Sequence, residues 1–102
     1  MAILSDFVVI AEFEVADAHL EVFLAAAEQD AIRSLADEPG CLQFDINVNE
    51  TSLISNVLFY EVYRSQEAFD SHLLTSHLAA FRDSLALVER ELPVRFLTRR
   101  HS

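Results

Sequence analysis

The chain comprises 102 residues, with 17 acidic side chains against seven arginines and no lysine, for a formal charge of −10. This length supports one small core, read as a single domain over residues 1–102, and the missing side-chain amine excludes P-loop and Schiff-base chemistry. A surface so acidic repels phosphate backbones and excludes nucleic acid as a partner, while an apolar share of 52% with one glycine and two prolines excludes a disordered chain.

Phe7 to Val15 is a β-rich run that opens on four apolar residues, the pattern of a central strand buried on both faces. From Asp17, read as the N-cap, Leu20, Phe23, Leu24, Ala27, Ala31 and Leu35 recur at spacings of three and four and mark the inner face of a helix. That helix ends before Pro39-Gly40, because proline disfavours helical geometry in the residue before it. Cys41 to Val48 alternates, with Leu42, Phe44, Ile46 and Val48 on one side and Gln43, Asp45 and Asn47 on the other, as in an edge strand with one wet face. Asn49 to Asn56 reads as a polar turn, and Val57 to Tyr63 as a second central strand, apolar on both faces except for Glu61. A second helix starts at Ser65-Gln66-Glu67 and carries Phe69, Leu73, Leu78, Phe81, Leu85 and Val88 inward. Thr75-Ser76 lies in its middle, where hydroxyls compete for backbone hydrogen bonds, and a kink or restart is expected there. Pro93 to Thr98 reads as a short final strand before a polar tail.

The order β-α-β-β-α-β defines an α+β, ferredoxin-like plan, with an antiparallel sheet ordered 4-1-3-2 and both helices on one face. Val8, Ile10, Leu58, Tyr60 and Val62 then line the face that the helices leave bare. Such an apolar patch is rarely left open on a monomer, so a homodimer through the sheet faces is expected. No apolar run reaches the roughly 18 residues of a membrane span, the N-terminus lacks the basic start of a signal peptide, and Cys41 has no partner for an internal disulfide. The expectation is a cytoplasmic protein with no membrane association.

Glu38-Pro39-Gly40-Cys41, then Phe59-Tyr60-Glu61-Val62-Tyr63 followed by Ser65-Gln66-Glu67-Ala68-Phe69, and the pair His72 and His77 together resemble the antibiotic biosynthesis monooxygenase family. The resemblance runs from about Phe7 to Leu97. It implies a dimeric α+β barrel of ferredoxin-like halves, with a pocket between the helices and the sheet. Known activities in such proteins are cofactor-free oxygenation of phenols, quinols and anthrones, haem degradation, and isomerisation of a phosphorylated autoinducer sugar. Three positions depart from the haem-degrading pattern. Phe13 stands where those enzymes have an asparagine, Tyr63 where many relatives have tryptophan, and Arg82 or Asp83 near their histidine ligand. The isomerases place an Asn-His pair late in the first helix, and the matching stretch here is Ala31-Ile32.

Alternation along the third strand would aim Phe59, Glu61 and Tyr63 into that pocket, and Phe13, Phe69 and Phe81 complete its substrate-binding wall. Glu61 is the residue most out of place, a carboxylate in an apolar strand that must either shift its pKa or find a partner. One reading pairs it with Arg64 or Arg82; the other has it support a histidine or bind a substrate hydroxyl. On an unbroken helix His72 and His77 would point about 140° apart, so no metal is assigned unless the helix breaks between them. Each is a candidate general base of near-neutral pKa. His19, His101 and Cys41 are assigned no role. The leading expectation is a cofactor-independent monooxygenase, with His77, His72 and Glu61 as catalytic groups. It would take a small neutral aromatic and O2 as its partners and need no flavin, haem or metal. The alternatives are an isomerase of a small metabolite, phosphorylated or not, and a non-catalytic dimeric ligand-binding module.

Overall fold

The computed structural model describes residues 6–101. In chain order it contains β1 (Phe7–Ala16), α1 (Asp17–Asp37), β2 (Cys41–Asn49), β3 (Ile54–Tyr63), α2 (Gln66–His72), α3 (Ser76–Arg82), a 3-10 segment (Asp83–Leu87), β4 (Val88–Glu91) and β5 (Arg95–Thr98). The sheet runs β2-β3-β1-β4, with β5 also paired to β1, and every pairing is antiparallel. This is the ferredoxin-like order expected for strands one and three at the centre. No helix among the described residues is long and apolar enough to cross a membrane.

The last strand is interrupted. β4 pairs with Phe13–Val15 and β5 with Phe7–Ile10, so Leu92, Pro93 and Val94 span a gap that Ala11 and Glu12 fill on β1. Leu92 N–H still reaches the Glu12 carbonyl, whereas Pro93 has no N–H to offer. Val88, expected on the inner face of the second helix, therefore opens β4 instead. The turn between β2 and β3 is also shorter than expected. Ile54, Ser55 and Asn56 join β3 because Ala16, Val15 and Glu14 pair with them.

Helix α1 buries Leu20, Phe23, Ala27, Asp30, Ala31 and Ser34, and leaves Leu35 exposed. Its N-cap is Ala16 with no side-chain hydrogen bond, so Asp17 is the first helical residue and acts only through the helix dipole. In β2 the register shifts between Cys41 and Gln43; Cys41 takes the inner position and Leu42 is turned out to solvent. Helix α2 is capped as its sequence suggests, Ser65 Oγ accepting from Ala68 N–H.

The core is an aromatic cluster between sheet and helices. Phe13 of β1, Phe59 of β3, Phe23 of α1 and Phe81 of α3 pack with ring centroids 5.0–6.3 Å apart, in tilted, stacked and edge-on pairs. On the opposite face Val8 and Val62 are buried while Ile10, Leu58 and Tyr60 are half-buried.

Gly40 sets how closely the α1–β2 turn approaches α2, since a Cβ there would collide with the Cβ of Ala68. Gly40→Ala is expected to cost about 1–3 kcal/mol by overpacking. In urea denaturation the Gly40→Ala/Ala68→Gly double variant should lose clearly less than the sum of the two single changes.

Candidate active site

The helix break expected at Thr75-Ser76 is present, and it organises the site. Thr75 is the N-cap of α3: its Oγ1 accepts from Leu78 N–H and donates to the His72 carbonyl at 2.8 Å, closing α2 and starting α3 in one residue. The change of direction brings the rings of His72 and His77 to a centroid separation of 5.9 Å. Both then reach one carboxylate oxygen. Glu38 Oε2 accepts from His72 Nδ1 at 2.9 Å and from His77 Nε2 at 2.5 Å.

Glu38 is held by the turn that ends α1. Its N–H donates to the Ser34 carbonyl, its carbonyl accepts from Cys41 N–H, and the Gly40 and Pro39 carbonyls accept from the backbone and side chain of Arg64. The carboxyl is 12% exposed, and its second oxygen, Oε1, is buried with no partner among the described residues. Asp30, two turns earlier on α1 and buried, accepts a long bond from Ser34 Oγ at 3.4 Å.

Beside this network lies a cavity of about 120 Å3 between sheet and helices. Val9, Ala11, Phe13, Phe59 and Glu61 form its floor, and Asp30, Phe69, His72, Leu78 and Phe81 its walls. Leu73, Arg82, Glu91 and Val94, all exposed, stand at its mouth. Glu61 is 5% exposed, and its Oε1 accepts from the Tyr63 hydroxyl at 2.6 Å. Burial is the main reason its pKa climbs from 4.5 to about 8, with Asp30 and Glu38 adding to the rise and the Tyr63 bond opposing it. Burial likewise lifts Asp30 to about 6, opposed by His72 and His77. The Tyr63 hydroxyl is pushed up by burial and by Glu61, so it stays a donor. Burial also raises Cys41, to about 12, which leaves it an inert thiol.

Among the residues singled out from sequence, Phe13, Phe59, Glu61, Phe69, His72 and Phe81 line this cavity. Tyr63 does not. It is fully buried behind Glu61, with its ring 5.3 Å from those of His72 and Phe69. His77 does not either, and lines a separate hollow with Gln29, Asp30 and Arg33. Neither histidine bonds Glu61 among the described residues, and no arginine pairs with it; Arg64 is turned to Pro39 and Arg82 stands at the mouth. Sequence reasoning misses Glu38 and Asp30 as site residues. Glu38 is in view as part of Glu38-Pro39-Gly40, and Asp30 lies on the buried stripe Phe23, Ala27, Asp30, Ser34, with spacings of four, three and four.

An aromatic cavity between an antiparallel sheet and the helices packed on it is shared by a known class of small-molecule-binding proteins. The profile of one family, antibiotic biosynthesis monooxygenase, matches residues 6–84, and the chain belongs to that family. Among solved structures it is similar to Rv0793 from Mycobacterium tuberculosis (TM-score 0.84, 23% identity, covering 96% of this chain and 98% of that one). It is also similar to PA3566 from Pseudomonas aeruginosa (TM-score 0.79, 24% identity, 96% and 98% covered). A third is a candidate antibiotic biosynthesis monooxygenase from Nitrosomonas europaea (TM-score 0.76, 22% identity, 97% and 93% covered). At these identities the likeness shows the fold alone. No curated protein sequence matches this chain. Family membership supports a monooxygenase-type role in general terms.

The raised pKa of Glu61 has a definite sign in stability. The native state holds a proton that the unfolded chain releases near 4.5, so stability falls as pH rises from about 4.5 to about 8 and the loss is complete above that. Glu61→Gln keeps an acceptor for Tyr63 and removes the titration. Chemical denaturation across this range should show the wild type losing stability relative to Glu61→Gln, by up to several kcal/mol, since each tenfold difference in proton affinity between the folded and unfolded states is worth about 1.4 kcal/mol.

Proposed function

We propose that the protein is a cofactor-independent monooxygenase acting on a neutral, single-ring quinol or phenol. One observation carries this reading: His72, 3% exposed, stands on the wall of an apolar cavity with its Nδ1 held by a carboxylate. A carboxylate that accepts from Nδ1–H leaves the lone pair on Nε2, the arrangement that makes an imidazole a general base. The base is therefore His72. His77 shares Glu38 from outside the cavity and is assigned to positioning.

The proposed sequence uses only these groups. A substrate hydroxyl gives its proton to His72, and Glu61, still largely protonated near neutrality, can donate to a second substrate oxygen. The electron-rich anion, kept from water by the phenylalanine walls, reduces O2, and the resulting hydroperoxide loses water. Quinol plus O2 gives hydroxyquinone plus water, so the electrons come from the substrate. The cavity of about 120 Å3 is close to the roughly 150 Å3 that takes a benzene, which limits the substrate to a single ring. An acidic surface and a carboxyl-rich interior disfavour anionic ligands.

Oxygen uptake with substituted hydroquinones, in the presence of a chelator, tests this. His72→Gln should lower kcat about a hundredfold or more with KM little changed; full activity in that variant, or turnover without oxygen consumption, would remove the reading.

A homodimer through the sheet faces belongs to the same proposal. Val8, Ile10, Leu58, Tyr60 and Val62 share the face away from the helices, and Leu97 of β5, opposite Val8, extends it with an exposed side chain. Light scattering should give twice the 11.5 kDa chain mass. Ile10→Arg, placed in that contact, should shift the protein to monomers.

A further inference from the structure

The side chains at the helix break have the composition of a metal site. One ligand atom from each of Asp30, His72 and His77 lies within 4.8 Å of the other two. The three residues belong to α1, α2 and α3, so the packing of three helices holds the donors rather than one mobile segment. The charge in this region is also unbalanced. Glu38 and Asp30 are both carboxylates, and Glu38 Oε1 is buried with no partner among the described residues. The neighbouring arginines are engaged elsewhere, Arg33 by Asp37 and Arg64 by the Pro39 carbonyl. Two carboxylates facing two imidazoles in a low-dielectric site call for a cation. A route in exists through the hollow of about 260 Å3 between α1 and α3, which Asp30 and His77 line.

We infer that Asp30, His72 and His77 form a binding site for a divalent transition-metal ion, with Glu38 as the outer carboxylate that orients both imidazoles. Two nitrogens and one carboxylate oxygen suit zinc and its first-row neighbours better than magnesium or calcium. A carboxylate bonded to the second nitrogen of a ligating histidine is the usual outer shell of such sites. Drawing the ligand atoms onto one ion requires small side-chain rotations, which the partly open His77 permits. The consequence for activity rests on the function proposed above: an ion held by His72 takes the imidazole that would accept the substrate proton, so the metal is an inhibitor. No electron transfer is involved.

The test is calorimetric titration of the chelator-stripped full chain with zinc chloride, paired with cobalt(II) absorption as a report of ligand geometry. One zinc per chain is expected, with a rise in Tm and a cobalt spectrum of low coordination number. Asp30→Asn and His77→Gln should each weaken binding about ten- to a hundredfold. Absence of binding at roughly 100 μM zinc, far above the affinity of built sites, overturns the inference. So does affinity unchanged in both variants, because the ion would then sit elsewhere, for example on His19 or His101. The oxygenase reading fails separately: zinc that binds as described but leaves oxygen uptake unaffected establishes the site and removes His72 as the base.

Discussion

A single carboxylate oxygen shared by two imidazoles ties the structure together. Glu38 Oε2 joins the turn that ends α1 to both helices that follow β3, and no other described hydrogen bond or ion pair runs from α1 or this turn to α2 or α3. The contact demands a helix break, because adjacent turns of a continuous helix would hold His72 and His77 on different sides. Thr75 supplies that break with a hydroxyl serving both helix ends. It also demands a close approach of the α1–β2 turn to α2, which the lack of a side chain at Gly40 allows. The fold and the site thus depend on the same few residues.

Around that contact the protein concentrates negative charge where it has little cationic relief. Asp30 and Glu38 both raise Glu61, Glu38 also raises Asp30, and the chain has no lysine to draw on. Protonation is one physical answer, and it acts on the two carboxyls whose burial is greatest: Glu61 is raised to about 8 and Asp30 to about 6. Donation from imidazole is the other, and it acts on Glu38. The result is a division of labour by environment. The same chemical group is kept largely protonated at the sheet, where Glu61 accepts from Tyr63, and is an acceptor from two imidazoles at the helix break.

The sheet is legible in the sequence because two-sided apolar runs occur only at its centre, and β1 and β3 are those runs. The helix break is legible because Thr75-Ser76 interrupts an apolar stripe with hydroxyls. What escapes depends on tertiary contacts that periodicity does not encode. Leu35 has helical spacing from Ala31 but is exposed because the buried stripe of α1 runs through Asp30 and Ser34 instead, and Leu42 alternates correctly until the β2 register shifts beneath it. The floor of the cavity is legible from alternation along β1 and β3, which places Phe13, Phe59 and Glu61 on one face. The wall is less so. Glu38 reads locally as a residue before a turn, and its role depends on two histidines 34 and 39 positions away. Asp30 is visible as a charge on a buried stripe, but a stripe traced through its apolar members alone passes over it.

The size of the cavity bears on which of the activities implied by the resemblance these residues fit. Phe13 and Phe59 of the floor and Phe81 of the wall interlock with Phe23 of the core, and the free space beside them is about 120 Å3. A porphyrin, with four pyrrole rings in one plane, needs several times that volume. Admitting it would mean dismantling a close-packed aromatic cluster, each member of which buries a large apolar area. Phe13, which the resemblance sets where haem-degrading proteins have an asparagine, is part of that cluster as well as of the cavity floor. The substitution therefore removes a polar group and also fills the space that the macrocycle would occupy. A single aromatic ring, the substrate proposed above, needs only roughly 150 Å3, close to the space present.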